Sequence, residues 1–337
     1  MKNYSHTTKS LCNICYRQIH AGIYTENELV MMDKVCPIHG KQTGVVETSV
    51  EVFETLGFGR CNPDFLPRLL IFNLTGSCNT QCDFCYNPLK DVNMTAIEVV
   101  DIARLFPGWK IVLSGGEPTI HPDYWSVVTG LSNYFATITN GIKFLNERFM
   151  DTMHEMYPVK SYIPFYLTLN STSRPMLDRI LTALYKNDYV IRYAFFVLER
   201  LDQIDEAMNL WRDNQDVITH LRFRLPFNSW NQSATKTFFL SEVYLYLQKN
   251  YPDFTLCDAL VGNSIYDFTL QCGDRLLTVC SAPSLSAFDI DHIQQAPFML
   301  ANDGEIYSTP HTLLINEGIE KGIIKCYAPH LNLNTQD

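Results

Sequence analysis

Cys78, Cys82 and Cys85 form a C-x3-C-x2-C run, CNTQCDFC, just past the apolar segment Leu69 to Leu74. A short apolar run of this length reads as a buried strand, so the cysteines lie in the loop at its exit. A tight loop brings three thiolates onto one face, and the chain must fold around whatever they hold. Structural zinc suits the spacing poorly, because three cysteines within eight residues crowd a tetrahedral site. A disulfide suits it poorly as well, since nothing marks the chain as secreted. Three thiolates so placed match three irons of a four-iron cubane, whose ordinary form takes four cysteines. With only three, one iron stays open to a small molecule.

Gly115-Gly116-Glu117-Pro118-Thr119 follows the apolar run Ile111 to Leu113 and so stands at a second strand exit. Two glycines allow a close backbone approach that a Cβ would block. Glu117 and the backbone carbonyls there can accept hydrogen bonds from an ammonium group. Taken alone, GGEP reads as a tight turn with a solvated Glu; after the cysteine loop the ligand-binding reading prevails.

CNTQCDFC together with GGEPT resembles the radical S-adenosylmethionine (radical SAM) superfamily, over roughly residues 68 to 226. The resemblance implies that Cys78, Cys82 and Cys85 hold a [4Fe-4S] cluster whose open iron chelates the amino and carboxylate groups of SAM. It places Gly115, Gly116, Glu117 and Pro118 along the methionyl ammonium, and Phe84, with Tyr86 beside it, near the adenine. It implies one-electron cleavage of SAM and hydrogen abstraction by a 5′-deoxyadenosyl radical, fed by a donor such as flavodoxin or ferredoxin. No catalytic residue beyond the cluster ligands is implied.

Between residues 69 and 225, strand-like runs alternate with amphipathic stretches: Leu69–Leu74 then Thr95–Phe106, Lys110–Leu113 then Tyr124–Leu131, Tyr134–Thr139 then Leu145–Met156. Tyr162–Leu169 then Met176–Tyr185, Tyr189–Leu198 then Ile204–Trp211, and finally Val217–Leu225 continue the series. Such alternation predicts parallel β/α units with right-handed crossovers, and Thr95 with Glu98 predicts a capping box. Six units make the partial (β/α)6 barrel of the superfamily, with its reactive groups on loops after the strands. Other strand ends offer SAM contacts: Thr139 and Asn140 for the amino acid or ribose, Asn170 and Ser171 for the ribose. Arg192, or Arg222 and Arg224, would pair the carboxylate. The competing readings are a common Asn-Gly turn, a helix cap at Ser171 and outward-facing arginines.

Cys12-x2-Cys15 is followed, twenty residues on, by Cys36-x2-His39. Paired ligands on two knuckles predict a zinc site, with a single rubredoxin-like iron as the alternative and Cys61 as an alternative fourth ligand. The segment is too short for a large core, so a metal would stabilise it. Gly22–Tyr24 and Leu29–Met32 read as short strands of a ribbon. CNIC followed by VCPIHG ahead of such a core is similar to the tetraether lipid synthase-like branch, without transferring its substrate.

From about Tyr251 the rhythm breaks. Cys257, Cys272, Cys280 and Cys326 raise an auxiliary iron–sulfur cluster, as in SPASM and twitch extensions, and Met299 to Leu314 resembles their hairpin with Asn302-Asp303-Gly304 as the turn. The C-x2-C pairs of a full SPASM module are absent, and a substrate-covering cap is the reading preferred. Asp258, Asp274, Arg275, Asp289, Asp291, His292 and His311 are its polar candidates.

The expected organisation is α/β: a metal-binding ribbon over 1–60, a partial TIM-type barrel over 61–250, and a C-terminal α+β cap over 251–337. A net charge of −10 argues against a nucleic-acid groove, and no apolar run approaches the ~20 residues of a membrane span. Eleven cysteines without an export signal fit a reducing cytoplasm. The expected enzyme acts on a small organic molecule, forming or rearranging bonds. A peptide-modifying maturase and cluster-directed aminocarboxypropyl transfer are the enzymatic alternatives. A zinc-binding interaction module is the non-enzymatic one.

Overall fold

The computed structural model of the protein describes residues 4–15, 17–57, 69–85, 93–104, 106–157, 162–225, 239–261, 266–281, 298–300 and 306–307. Cys61, Tyr86, Asp289, Asp291, His292, His311, Cys326 and the Asn302-Asp303-Gly304 turn lie outside these residues.

The chain opens with four antiparallel strands in sequential order, β1 (Tyr4–Leu11), β2 (Gln18–Glu26), β3 (Leu29–Cys36) and β4 (Gly40–Glu47). Their apolar face is small: Ala21, Ile23, Val30, Met32 and Val46 form the cluster, with Val50 and Phe53 of helix α1 (Val50–Thr55) packed against it.

Six β/α units follow, close to the predicted boundaries. The strands are β5 (Leu69–Thr75), β6 (Lys110–Gly115), β7 (Tyr134–Thr139), β8 (Tyr162–Thr168), β9 (Val190–Val197) and β10 (Ile218–Arg224). Between them run α2 (Ala96–Arg104), α3 (Tyr124–Gly130), α4 (Glu147–Met156), α5 (Arg174–Lys186) and α6 (Gln203–Asp213). Each strand pairs in parallel with its neighbour in chain order. The capping box at α2 forms as expected: Thr95 N–H donates to Glu98 Oε2 at 2.7 Å, and Glu98 N–H donates to Thr95 Oγ1 at 3.2 Å.

One face of every parallel strand meets the helices. Leu70, Phe72 and Leu74 of β5, Phe165 and Leu167 of β8, and Leu221 and Phe223 of β10 pack with Val99, Met153, Leu177, Leu184, Met208 and Trp211 of the helices. The alternate residues turn to the opposite, concave face. Among the described residues β5 and β10 do not pair with each other, so the barrel stays open.

The C-terminal residues continue this sheet at both of its edges. After α7 (Leu240–Asn250) come β11 (Thr255–Val261), β12 (Tyr266–Cys272) and β13 (Arg275–Ser281), with β13 parallel to β10. At the other edge β14 (Phe298–Leu300) runs parallel to β5 and pairs antiparallel with β15 (Ile306–Tyr307), giving eleven strands in all.

Candidate functional site

The first strand of the parallel sheet ends in the cysteine loop. Ser77 N–H donates to Thr75 Oγ1 at 3.0 Å and Cys85 N–H to the Cys82 carbonyl at 3.1 Å, which turns the loop back on itself. Cys78 and Cys82 are half-buried and Cys85 is exposed. Burial pushes the Cys82 thiol up from its ordinary pKa.

The GGEPT turn packs on the same loop through backbone. Gly116 N–H donates to the Thr75 carbonyl at 2.7 Å and Glu117 N–H to the Ser77 carbonyl at 2.8 Å. Gly115 has φ +127°, and a Cβ there would meet the Thr75 carbonyl oxygen at 2.3 Å; at Gly116 it would meet the Ser77 oxygen at 2.0 Å. What the glycines admit most closely is therefore the cysteine loop's own backbone. Pro118 begins a short 3-10 turn, Pro118–Ile120, and is buried in it.

Glu117 is buried and surrounded by donors. Its Oε1 accepts from Thr119 N–H (3.1 Å), Thr119 Oγ1 (2.6 Å) and Thr139 Oγ1 (2.7 Å), and its Oε2 from Asn140 N–H (2.7 Å). Burial raises its pKa and these donors oppose the rise. The carboxylate thus ties the exit of β6 to the exit of β7. Asn140 carries the tie onward, its Nδ2 donating to Asn79 Oδ1 at 2.7 Å inside the cysteine loop.

A cavity of about 260 Å³ opens at the C-terminal ends of the strands. Cys78, Cys82, Cys85 and Phe84 line one wall, with Gly115, Gly116, Glu117, Thr139 and Asn140 on another. Ser171 and Arg224 complete the lining, with the Ser171 carbonyl 3.6 Å from Cys82 Sγ. This volume exceeds by far what a single ion needs, since a water's share of liquid is about 30 Å³. Three sulfurs together, a close-packed glycine turn and an arginine in the lining fit an iron–sulfur cluster with an anionic ligand.

Four of the residues expected at the ligand, Pro118, Asn170, Arg192 and Arg222, do not line this cavity. The Asn170 amide is taken up by strand β9, donating from Nδ2 to the Val197 carbonyl (2.8 Å) and accepting from Val197 N–H (3.0 Å). Arg192 is exposed and does not line the cavity, because it is the third residue of β9 and the cavity lies at the far end of that strand. Pro118 does not line it either. Thr80, Gln81, Ser114, Ile138, Thr168, Val197 and Leu225 do, without having been singled out in the sequence. For Ser114, Thr168, Val197 and Leu225 the available signal is position at or next to the last residues of a predicted parallel strand.

On the concave face below the cavity, Tyr166 lies 5.0 Å from Tyr193 and 5.8 Å from Phe195 between ring centroids. Tyr193 lies 4.6 Å from His220. Beside them Arg222 Nη2 meets Asp267 Oδ2 at 3.0 Å, joining β10 to β12.

The ribbon carries the second centre. The ligand atoms of Cys12, Cys15, Cys36 and His39 all lie within 4.8 Å of one another. Cys15 Sγ is 3.8 Å from Cys36 Sγ, and His39 Nδ1 is 3.4 Å from Cys12 Sγ and 3.6 Å from Cys36 Sγ. Zn–S bonds of about 2.3 Å and Zn–N bonds of about 2.0 Å at tetrahedral angles give edges of roughly 3.6–3.8 Å, so the set fits one tetrahedral ion. Burial alone would push the Cys12 thiol up, but hydrogen bonds from the Cys15 and Ile14 backbone and the Gln42 amide draw it down to about 6. A thiolate ligand is thereby favoured in advance of the metal. Gln42 Nε2 stands 3.1 Å from Cys12 Sγ.

The described C-terminal cysteines are dispersed. Cys257 Sγ contacts the Thr269 carbonyl at 3.3 Å, Cys280 Sγ the Phe223 carbonyl at 3.2 Å, and Cys272 ends β12. Of the polar cap candidates, Arg275 bonds the Gln215 side chain, while Asp258 lies in β11 and Asp274 in the turn before β13.

Comparison with known proteins agrees with both centres. Residues 4–48 match the model described as the HMPTM N-terminal zinc ribbon domain, and residues 72–218 match the radical SAM superfamily. The chain is 25% identical over 195 residues to 7,8-dihydro-6-hydroxymethylpterin dimethyltransferase of Methanocaldococcus jannaschii, covering 47% of this chain and 38% of that protein. It is 33% identical over 101 residues to 7-carboxy-7-deazaguanine synthase of Haemophilus influenzae, covering 28% and 45%. The chain thus spans less than half the length of these curated relatives. The crystal structure of Streptococcus suis SuiB bound to precursor peptide SuiA shares the fold, with a TM-score of 0.51 at 13% identity over 79% of this chain and 64% of that one. The ribbon match is to the HMPTM type and does not single out the tetraether lipid synthase-like branch.

Proposed function

The chain carries a radical SAM domain behind an N-terminal zinc ribbon, and we propose from this that it is a radical SAM enzyme acting on a small organic substrate. The carrying observation is the convergence of Cys78, Cys82 and Cys85 with the GGEPT turn and Arg224 on one cavity. Cys78, Cys82 and Cys85 would hold a [4Fe-4S] cluster, which with SAM bound would supply one-electron cleavage of SAM and so hydrogen-atom abstraction from the substrate.

The chain's own residues place and shield. Phe84 would offer its ring to the adenine, and the backbone at Gly115 and Gly116 would line the methionyl end. Glu117 acts on that end indirectly, by fixing the turn to Thr139 and Asn140. Arg224, whose guanidinium carbon lies 5.6 Å from the Phe195 ring centroid, would offer a cation to the carboxylate. Ser171 would border the ribose side; its carbonyl oxygen lies 3.6 Å from Cys82 Sγ. Below the strand ends, Tyr166, Tyr193 and Phe195 add an aromatic cluster to the concave face. Cys12, Cys15, Cys36 and His39 would hold Zn²⁺ or a single iron as a structural ion.

For the substrate we favour a fused-pyrimidine heterocycle. The two curated relatives named above carry such a ring in their names, a pterin and a deazaguanine, and an aromatic cluster beside the Arg222–Asp267 pair suits a flat, hydrogen-bonding ring. The reaction then forms or rearranges a bond on that ring, in a cytoplasmic setting where a flavodoxin- or ferredoxin-type donor supplies the electron.

Anaerobic reconstitution, reduction with dithionite and chromatography of the nucleoside test this reading. Wild-type protein yields 5′-deoxyadenosine, and Cys82→Ala yields none while retaining the ribbon metal. A Cys82→Ala protein that still makes it overturns the site, and methylthioadenosine in its place points to aminocarboxypropyl transfer.

A further inference from the structure

Thr80 lies within the C-x3-C spacing, between the first two cysteines. Its hydroxyl oxygen stands 3.4 Å from Cys78 Sγ and 3.9 Å from Cys82 Sγ. From the exit of β7, Asn140 Nδ2 reaches the same oxygen at 3.4 Å and Asn79 Oδ1 at 2.7 Å. An amide nitrogen can only donate, so it occupies a lone pair of Thr80 Oγ1 and leaves the hydroxyl proton for the sulfurs.

Asn140 is itself held at two further points. Its backbone N–H donates to Glu117 Oε2 at 2.7 Å, and its Oδ1 accepts from Ile142 N–H at 3.0 Å. The amide therefore cannot flip without losing the Ile142 bond, and the direction of the Thr80 hydroxyl is set from β6 and β7 rather than by the loop alone. A hydroxyl facing sulfur gives little to a neutral thiol. It gives more to a thiolate, and more again when the metal group behind that thiolate gains an electron.

We propose that Thr80, oriented by Asn140, is a positioning residue whose hydroxyl donates to the sulfurs of Cys78 and Cys82 and raises the reduction potential of the [4Fe-4S] cluster they hold. The proposal rests on the radical SAM reading above. Its physical basis is that hydrogen bonds to ligand sulfur stabilise the more negative, reduced cluster. No bond is made or broken: the electron arrives from the external donor, and the hydroxyl dipole only changes how readily it is accepted.

The test is an EPR-monitored redox titration of the reconstituted full-length protein, without SAM, in wild type, Thr80→Val, Thr80→Ser and Asn140→Ala. Thr80→Val, which keeps the shape and removes the proton, shifts the midpoint to lower potential. Thr80→Ser restores the wild-type value, and Asn140→Ala falls between. The signal arises only from protein that carries cluster, so partial loading does not distort the comparison. If Thr80→Val holds no cluster at all, Asn140→Ala against wild type decides. Equal potentials in wild type and every variant that loads overturn the proposal while leaving the enzyme assignment standing. Wild-type protein that assembles no four-iron signal overturns the assignment itself, and this proposal with it.

Discussion

At the scale of single residues, the site depends on how closely two backbones can approach. A methyl group at Gly116 would sit 2.0 Å from the Ser77 carbonyl oxygen, one residue before the first cysteine. Backbone cannot rotate away as a side-chain end can, so the cysteine loop must move. Gly116→Ala should cost at least the ~1–3 kcal/mol usual for overpacking, and lower the iron bound per chain after reconstitution. Unchanged iron content and urea midpoint would show that the two loops are not in register as described. The sequence made the cysteines and the glycine pair legible because their identity and spacing carry the chemistry. What the spacing did not reveal is that the same glycines also admit the backbone of Thr75 and Ser77. Asn170 and Arg192 were not legible for another reason: which strand-end side chain faces the cavity depends on pairing register and depth, and neither is written in local spacing.

At the scale of elements, the six parallel strands and the five helices between them were readable to within about two residues, because the strands turn apolar residues toward the helices and the helices carry a clear amphipathic period, whereas α7 was not read from the sequence. The ribbon was read less completely. Its middle strands β2 and β3 were found in part, but β1 and β4 were missed; they are the edges of a small sheet, and polar residues such as His6, Lys9, Lys41 and Gln42 mask their alternation. The link between ribbon and barrel was also invisible in sequence. Glu47, the last residue of β4, accepts from Ser241 N–H at 3.1 Å and Ser241 Oγ at 2.7 Å, and Thr48 Oγ1 lies 2.8 Å from the same hydroxyl. Ser241 is the second residue of α7, so a ribbon carboxylate satisfies one of that helix's unpaired amides and meets its positive end. Removing it leaves a buried N–H without that acceptor. Glu47→Ala should therefore lower stability by about 1–3 kcal/mol in urea denaturation, and Glu47→Gln, which keeps an acceptor oxygen, should recover part of the loss. Equal midpoints for all three proteins would mean the clasp contributes nothing net.

At the scale of the molecule, the open parallel sheet has two edges, and C-terminal strands cover both. Exposed parallel edges invite pairing with other chains, so this cover protects the sheet as well as extending it. At the β10 edge, side chains reinforce the ladder: Arg222 pairs with Asp267 of β12, and His220 Nε2 lies 2.7 Å from Thr278 Oγ1 of β13, which in turn lies 2.9 Å from Thr269 of β12. His220 is mostly buried, faces Tyr193 from β9, and feels the positive charges of Arg222 and Arg192. Burial first, then these two cations, lower its pKa from the ordinary 6.5 to about 4. A histidine whose folded value lies below its unfolded value takes up its proton more readily when unfolded. The stability this neutral ring confers is thus complete above about pH 6.5 and is lost progressively as pH falls toward 4. At ~1.4 kcal/mol per unit, the loss approaches ~3 kcal/mol at the lower end. Carboxylates titrate in the same acid range, so the informative quantity is the difference between two proteins. Urea midpoints measured from pH 7 to pH 4.5 should fall more steeply for wild type than for His220→Gln, which has no proton to gain. Parallel curves would show that the ring takes up its proton as readily in the fold as in the unfolded chain, and that its burial at the β10 edge confers no pH-dependent stability.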